Sequence, residues 1–174
     1  ALSLSIDRDL IVKSILKGNQ KVSYSFTPPD DKSYNPESEL KFDPVKAKLF
    51  LEYSGYDTNN APLEVLYNTS EGHQKIAQAI QEMWKNNLGL NVVLTNVDWK
   101  VYLERETLGE FDISRAGWIG DYPDPFTFLD MMVTDRGNNK TGWSNYVFDK
   151  TLKDASSEIS TQKRYELYEK AEKI

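Results

Sequence analysis

The sequence contains no cysteine. That excludes a disulfide framework, a zinc–thiolate site and a cysteine nucleophile, and it is compatible with an oxidising compartment without demonstrating one. Histidine is almost as scarce. His73 is the only one, so neither a histidine-based metal cluster nor a choice of Ser-His-Asp arrangements can be assembled. Basic charge is in deficit, with 21 Lys+Arg against 27 Asp+Glu, a formal charge of −6 and a pI near 4.9. This is the wrong sign for a nucleic-acid-binding module and for a polybasic membrane anchor. No apolar run approaches the length that spans a bilayer. Neither Gly-rich phosphate loop occurs, and there is no internal repeat or low-complexity tract.

The 174 residues amount to 20.0 kDa, with 39% hydrophobic and 12% aromatic residues. That is enough apolar material for a core and too much for a disordered chain. The first residue is Ala1 with no basic leader after it, and Tyr165, Tyr168, Ala171 and Ile174 keep a helical spacing to the last position. The expectation is therefore a single partial domain over 1–174, truncated at both ends.

Residues 7–17 read as a short amphipathic helix, capped by Asp7 and stopped by Gly18-Asn19. A proline-rich irregular connection follows over 25–42, including Pro28, Pro29, Asp30, Asp31 and Pro36, of the kind that wraps over another surface. Asp43-Pro44 opens a helix that Gly55 closes. Leu63 to Asn68 reads as a strand, 71–88 as a helix carrying Ile76, Ile80, Met83 and Trp84 on one side, and 90–95 as a second strand. A helix over 100–107 and a third strand over 111–115 complete a βαβαβ alternation. This predicts an α/β fold with a largely parallel sheet flanked by helices. Beyond a turn-rich loop at 118–125, helices are expected over 126–133, 145–158 and 161–174, with a polar turn at 136–140.

In open α/β sheets, ligands sit beyond the carboxyl ends of the strands. Three segments take that position: Asn68-Thr69-Ser70 with nearby His73, Asn96 to Trp99, and Arg115 to Asp124. Arg115 offers a planar fork of donors suited to a carboxylate, or else a structural ion pair with a local acid such as Asp112. Asp121 fits a ligand ammonium group or an ordinary turn aspartate. Trp99 and Trp118 either line a pocket or pack in a core. His73, in the first turn of its helix, is a ligand contact or an exposed capping residue. Asp121 with Asp124 supplies two carboxylates for acid–base hydrolysis, or two solvated turn residues.

The stretch from Arg115 to Leu129 (RAGWIGDYPDPFTFL) resembles the signature of the oligopeptide-binding proteins of bacterial ABC importers. So do Ala1 to Arg8, the Phe26-Thr27-Pro28-Pro29 loop, Leu66 to Ser70, Trp84 to Gly89 and Trp99-Lys100, all in the family's order. The resemblance implies the C-terminal, peptide-binding lobe of a two-lobed class II periplasmic-binding-protein fold. The implied activity is capture of short oligopeptides outside the cytoplasmic membrane for delivery to the transporter. No catalytic residue, metal or cofactor is implied. Position by position, Asp121 matches the partner of the peptide's ammonium group. Arg115 and His73 match groups near its carboxylate, and Trp99 and Trp118 match indoles bordering side-chain pockets; Asn68 stands beside them. The family's second arginine falls at Glu106 here, with Arg105 one place earlier as the possible substitute. Implied partners are short peptides, the other lobe of the same chain and a membrane ABC permease, with no nucleic acid. A monomer is expected, in the periplasm or on the outer face of the cytoplasmic membrane, where a lipid anchor would also place it. Two alternatives stay open: a family member specialised for a cell-wall peptide or pheromone, and a hydrolase using Asp121 and Asp124.

Overall fold

The computed structural model describes residues 1–30 and 33–174. Asp31, in the expected irregular connection, lies with Lys32 outside the described residues. Two units are distinguished: Ala1–Val22 with Leu40–Ala116, and Ser23–Glu39 with Gly117–Ile174.

The first unit contains α1 (Arg8–Leu10), which runs on as a π-helical turn over Ile11–Leu16, then α2 (Pro44–Ser54), β1 (Leu63–Asn68), α3 (Glu71–Leu88), β2 (Val92–Val97), α4 (Trp99–Leu108) and β3 (Ile113–Ser114). The sheet order is β2-β1-β3 and both pairings are parallel, as the βαβαβ pattern predicts. A central parallel strand is covered on both faces and so must be apolar on both. Val65, Leu66 and Tyr67 are consecutive and all buried. Around them pack Leu4, Ala47, Trp84, Leu88, Leu90 and Val92. The indole N–H of Trp84 donates to the Leu2 carbonyl at 3.1 Å and the Asn87 amide to that of Ser5 at 2.9 Å, which seals the N-terminal turn against α3.

Local chemistry accounts for the helix limits. Asp43 caps α2 through the Lys46 N–H, and Asp98 caps α4 through those of Lys100 and Val101, so α4 starts at Trp99 instead of Lys100. α2, α3 and α4 end on Gly55, Gly89 and Gly109, each in the left-handed conformation that a side chain would disfavour. The first helix departs from expectation. Lys17, at φ 53°, ends it before Gly18-Asn19 is reached. β2 begins two residues later than the apolar run suggests. Leu90 is buried, but its N–H turns back to the Trp84 carbonyl as part of the α3 cap and never joins the ladder. β3 is shorter than 111–115 because the Asp112 carboxylate takes the Glu64 N–H at 2.8 Å, a side chain doing what the strand backbone would have done. The ladder does continue one bond further, from Arg115 N–H to the Leu66 carbonyl.

The second unit contains α5 (Phe126–Leu129), followed by a 3₁₀ turn over Asp130–Met132 where one longer helix was expected, then α6 (Tyr146–Ser157) and α7 (Thr161–Glu172). Tyr34, Leu129, Phe148, Leu152, Ala155, Tyr168 and Ala171 form its core. Tyr34 stands edge-on to both Tyr165 and Tyr168. The irregular segment does wrap a surface, and α7 holds it by two carboxylates. Glu172 accepts the N–H groups of Thr27 at 2.9 Å and Phe26 at 3.3 Å, and Glu169 accepts the Glu37 N–H and the Ser38 hydroxyl.

The two carboxylates titrate in opposite senses. Burial raises Glu172 above the usual range, with the donors from Thr27 and Phe26 only partly opposing it. Burial also pushes Glu169 upward, but Ser38, the Glu37 N–H and Lys173 together bring it below that range. A carboxyl group raised in the folded state costs stability as pH climbs from its unfolded value through its folded one. Glu172→Gln is therefore expected to gain stability relative to the wild type as pH rises from roughly 4 to 7. Urea unfolding of both proteins across that range checks it, and a falling difference would contradict the assignment. In the first unit, Trp84→Ala empties the core beside β1 and is expected to cost about 3–5 kcal/mol in the same measurement.

Candidate functional site

The strand order β2-β1-β3 means that the chain leaves β1 towards one side and returns past it to the other. The carboxyl ends of β1 and β3 thus flank a reversal point, where α/β sheets place ligands. Asn68 is the last residue of β1, and His73 is the third residue of α3. The structure brings these two together, with Nδ1 of His73 2.9 Å from Oδ1 of Asn68. His73 is thus neither a free surface residue nor a cap. Beside them, the Thr69 hydroxyl donates to Asn96 Oδ1 at 2.9 Å, tying the end of β1 to that of β2.

Trp99 opens α4 at the same edge. It is 57% exposed, and its ring stacks on Tyr102 at 5.3 Å and 18°. Trp84, by contrast, is only 4% exposed, so the alternative of core packing holds for Trp84 and fails for Trp99. Tyr102, buried beneath Trp99, supports this edge and is not among the residues the sequence singles out, although its i+3 spacing from Trp99 on a helix is a usable signal. Its Oη lies 2.6 Å from both Glu106 Oε1 and the Arg115 carbonyl oxygen, and burial, then Glu106, push the phenol up to about 12.

Arg115 follows β3. Its expected structural partner, Asp112, is occupied by the Glu64 N–H, and the Arg115 guanidinium has no ion pair or hydrogen bond to any described residue. Arg105, the possible substitute for the family arginine, is committed elsewhere. It forms a two-pronged pair with Glu64, at 2.7 and 3.2 Å, and also donates to the Glu110 carbonyl. That fork holds the Glu64 carboxyl below the usual range. Glu106 accepts hydroxyls from Tyr102 and Ser114.

In the second unit, the loop before α5 carries Trp118 and Asp121. Trp118 is 37% exposed, so it too is no core residue. Gly120 allows the loop to fold against α5: a Cβ there would stand 3.0 Å from both Phe128 Cζ and Thr127 Cγ2. The Asp121 N–H donates to the Thr127 hydroxyl. Its carboxylate has no hydrogen-bond partner among the described residues. The turn role falls to Asp124 instead, which accepts the Phe126 N–H at 3.0 Å and the Tyr168 hydroxyl at 2.8 Å and pairs with Arg164 at 3.3 Å. Tyr122, between them, is raised by burial first and then by Asp130, Asp124 and Asp121, with Arg136 opposing. No group of three or more acidic or histidine ligands suited to a metal exists among the described residues, and no helix there is long and apolar enough to cross a membrane.

The first unit thus carries Arg115, without a side-chain partner among the described residues, and the exposed Trp99 beyond the ends of its sheet, while the second carries Trp118 and Asp121 in a loop of its own; comparison gives the class of protein. The family model for bacterial extracellular solute-binding proteins, family 5 (middle region), matches residues 1–140. The chain belongs to that family. It is 40% identical, over its whole length, to the periplasmic murein peptide-binding protein MppA of Escherichia coli, and 41% identical to the oligopeptide-binding protein OppA of Bacillus subtilis. In each case it spans only 34% of the relative's length. A solved structure of the Escherichia coli murein tripeptide-binding protein superposes on 99% of the chain with a TM-score of 0.90 at 38% identity, using 35% of that protein. The relatives are solute-binding proteins.

The contrast between the two loop aspartates is directly testable. Asp124→Asn removes a carboxylate with three partners and is expected to cost about 1–3 kcal/mol. Asp121→Asn is expected to change stability by no more than about 0.5 kcal/mol. Thermal unfolding of the two variants measures both.

Proposed function

We propose that this chain is the peptide-binding lobe of an ABC-importer substrate-binding protein, which captures short oligopeptides outside the cytoplasmic membrane and delivers them to a membrane permease. The observation that carries the reading is that the Arg115 guanidinium and the Asp121 carboxylate have no hydrogen-bond or ion-pair partner among the described residues, while Asp112, Arg105 and Asp124 are all engaged. A free guanidinium suits a peptide carboxylate, and a free carboxylate suits a peptide ammonium group. Trp99 and Trp118 offer apolar faces for side chains, and main-chain hydrogen bonds to an extended peptide would supply affinity independent of sequence. His73 and Asn68 belong to the carboxylate end. The protein works as one partial domain of a monomeric two-lobed receptor, in the periplasm or lipid-anchored on the outer face of the cytoplasmic membrane, without cofactor or catalysis. Asp124 is held by Tyr168, Arg164 and the Phe126 N–H, which favours a structural role for it over one half of an acid–base couple with Asp121.

A second reading, a receptor specialised for a cell-wall peptide, draws on the likeness to the murein peptide-binding relative and on the carboxylate of Glu106 in place of a second arginine. Titration calorimetry of the full-length protein distinguishes the possibilities. Mixed tri- to pentapeptides are expected to bind, and N-acetylation or Asp121→Asn to weaken them at least tenfold, equivalent to about 1.4 kcal/mol. Unchanged affinity in both cases would remove Asp121 from the site. Turnover of the peptide would restore the hydrolase, and selective binding of a murein tripeptide would favour the second reading.

A further inference from the structure

The backbone of Arg115 is held at both of its polar groups. Its N–H donates to the Leu66 carbonyl at 2.9 Å, one bond beyond β3 itself. Past that bond a side chain takes over from the sheet, and the Tyr102 hydroxyl donates to the Arg115 carbonyl at 2.6 Å. Tyr102 is itself fixed. It is buried, its ring stacks on Trp99, and its oxygen also lies 2.6 Å from Glu106 Oε1. A phenol has one hydrogen for these two acceptors. The Ser114 hydroxyl reaches the same Glu106 oxygen at 2.8 Å, so Glu106 keeps a donor when the phenol hydrogen serves the carbonyl. Burial first, and then Glu106, push the phenol up to about 12, and the hydrogen is present throughout the physiological range.

We propose that Tyr102 is a positioning residue for recognition of the ligand's carboxylate: by anchoring the Arg115 carbonyl to α4, it holds the base of the guanidinium stem and the Trp99 ring in one frame. This rests on the peptide reading above and deepens it, since Tyr102 acts through Arg115 and touches no ligand. An arginine side chain loses rotamer freedom when it grips an anion, and a swaying backbone beneath it would add to that loss. With N–H and C=O both pinned beforehand, only the side-chain torsions remain to be ordered on binding. All of these groups belong to the first unit, so the frame is complete within it. A phenylalanine in place of Tyr102 would still stack on Trp99 and would leave the carbonyl without its donor.

Titration calorimetry of the full-length protein tests this with trialanine and its C-terminal amide, in the wild type and in Tyr102→Phe. The wild type is expected to prefer the acid. In Tyr102→Phe that preference should shrink about tenfold, because the acid binds more weakly while the amide is unaffected. Equal losses for acid and amide would make Tyr102 a packing residue only and overturn the proposal, as would an unchanged preference. NMR of the unliganded protein reads the anchor directly. Arg115-Ala116 is the only Arg-Ala pair in this sequence, so carbonyl-labelled arginine with nitrogen-labelled alanine selects its peptide bond, and loss of the signal in Ala116→Gly assigns it. That signal is expected to shift in Tyr102→Phe, and an unmoved signal overturns the anchor. If the wild type binds neither peptide, the peptide reading fails and the role in recognition fails with it. The carbonyl signal then still decides whether Tyr102 holds Arg115, so the two failures are told apart.

Discussion

Strand β1 exchanges hydrogen bonds with β2 on one side and β3 on the other, and this double pairing governs the first unit. It demands side chains that are apolar on both faces, which Val65, Leu66 and Tyr67 supply. It fixes the register, so Asn68 stands opposite Val97 and the last residues of both strands arrive at one edge together. The chain then turns within two residues into α3, bringing His73 back over the residue that closes the strand. Polar groups are thereby delivered to the rim of a sheet whose interior tolerates none.

Charge is distributed along the same axis. Near the start of β1, Glu64, Arg105 and Asp112 satisfy one another and the adjoining backbone. At the far end of the sheet, the Arg115 guanidinium has no hydrogen-bond or ion-pair partner among the described residues. Ionisable groups that stabilise a fold are those with partners, because a half-buried charge without one weakens the native state. Arg115 is the arginine of this unit that the sheet leaves at its rim, which is why the peptide proposal gives it a partner from outside.

Much of this was legible in the residues. Leu63 to Asn68 and the helix over 71–88 could be bounded from pattern alone, since the apolar run Val65-Leu66-Tyr67 and a terminal glycine have few other uses. The errors share one cause. Leu90 was read into β2, Asp112 into β3 and Gly18 as a helix stop. Each depends on a single hydrogen bond or backbone angle formed only in the folded chain, which composition does not encode. At the site, residue types gave the candidates, but which acid was engaged and which was free could not be read from a loop sequence with aspartates three apart. Tyr102 is a core residue by burial, and its link from Glu106 to the end of β3 is made by a hydroxyl whose partner Arg115 lies 13 residues away and is met only in the fold.

The aspartates around Tyr122 also act at a distance. Burial first, and then the charges of Asp130, Asp124 and Asp121, raise the Tyr122 phenol, with Arg136 opposing. At physiological salt their field reaches about 8 Å into the solvent. Two of the three are answered locally, Asp124 by Arg164 and Asp130 by Arg136, which leaves Asp121 as the loop's uncompensated charge among the described residues. A single exposed carboxylate biases encounter only weakly, and less so as ionic strength rises.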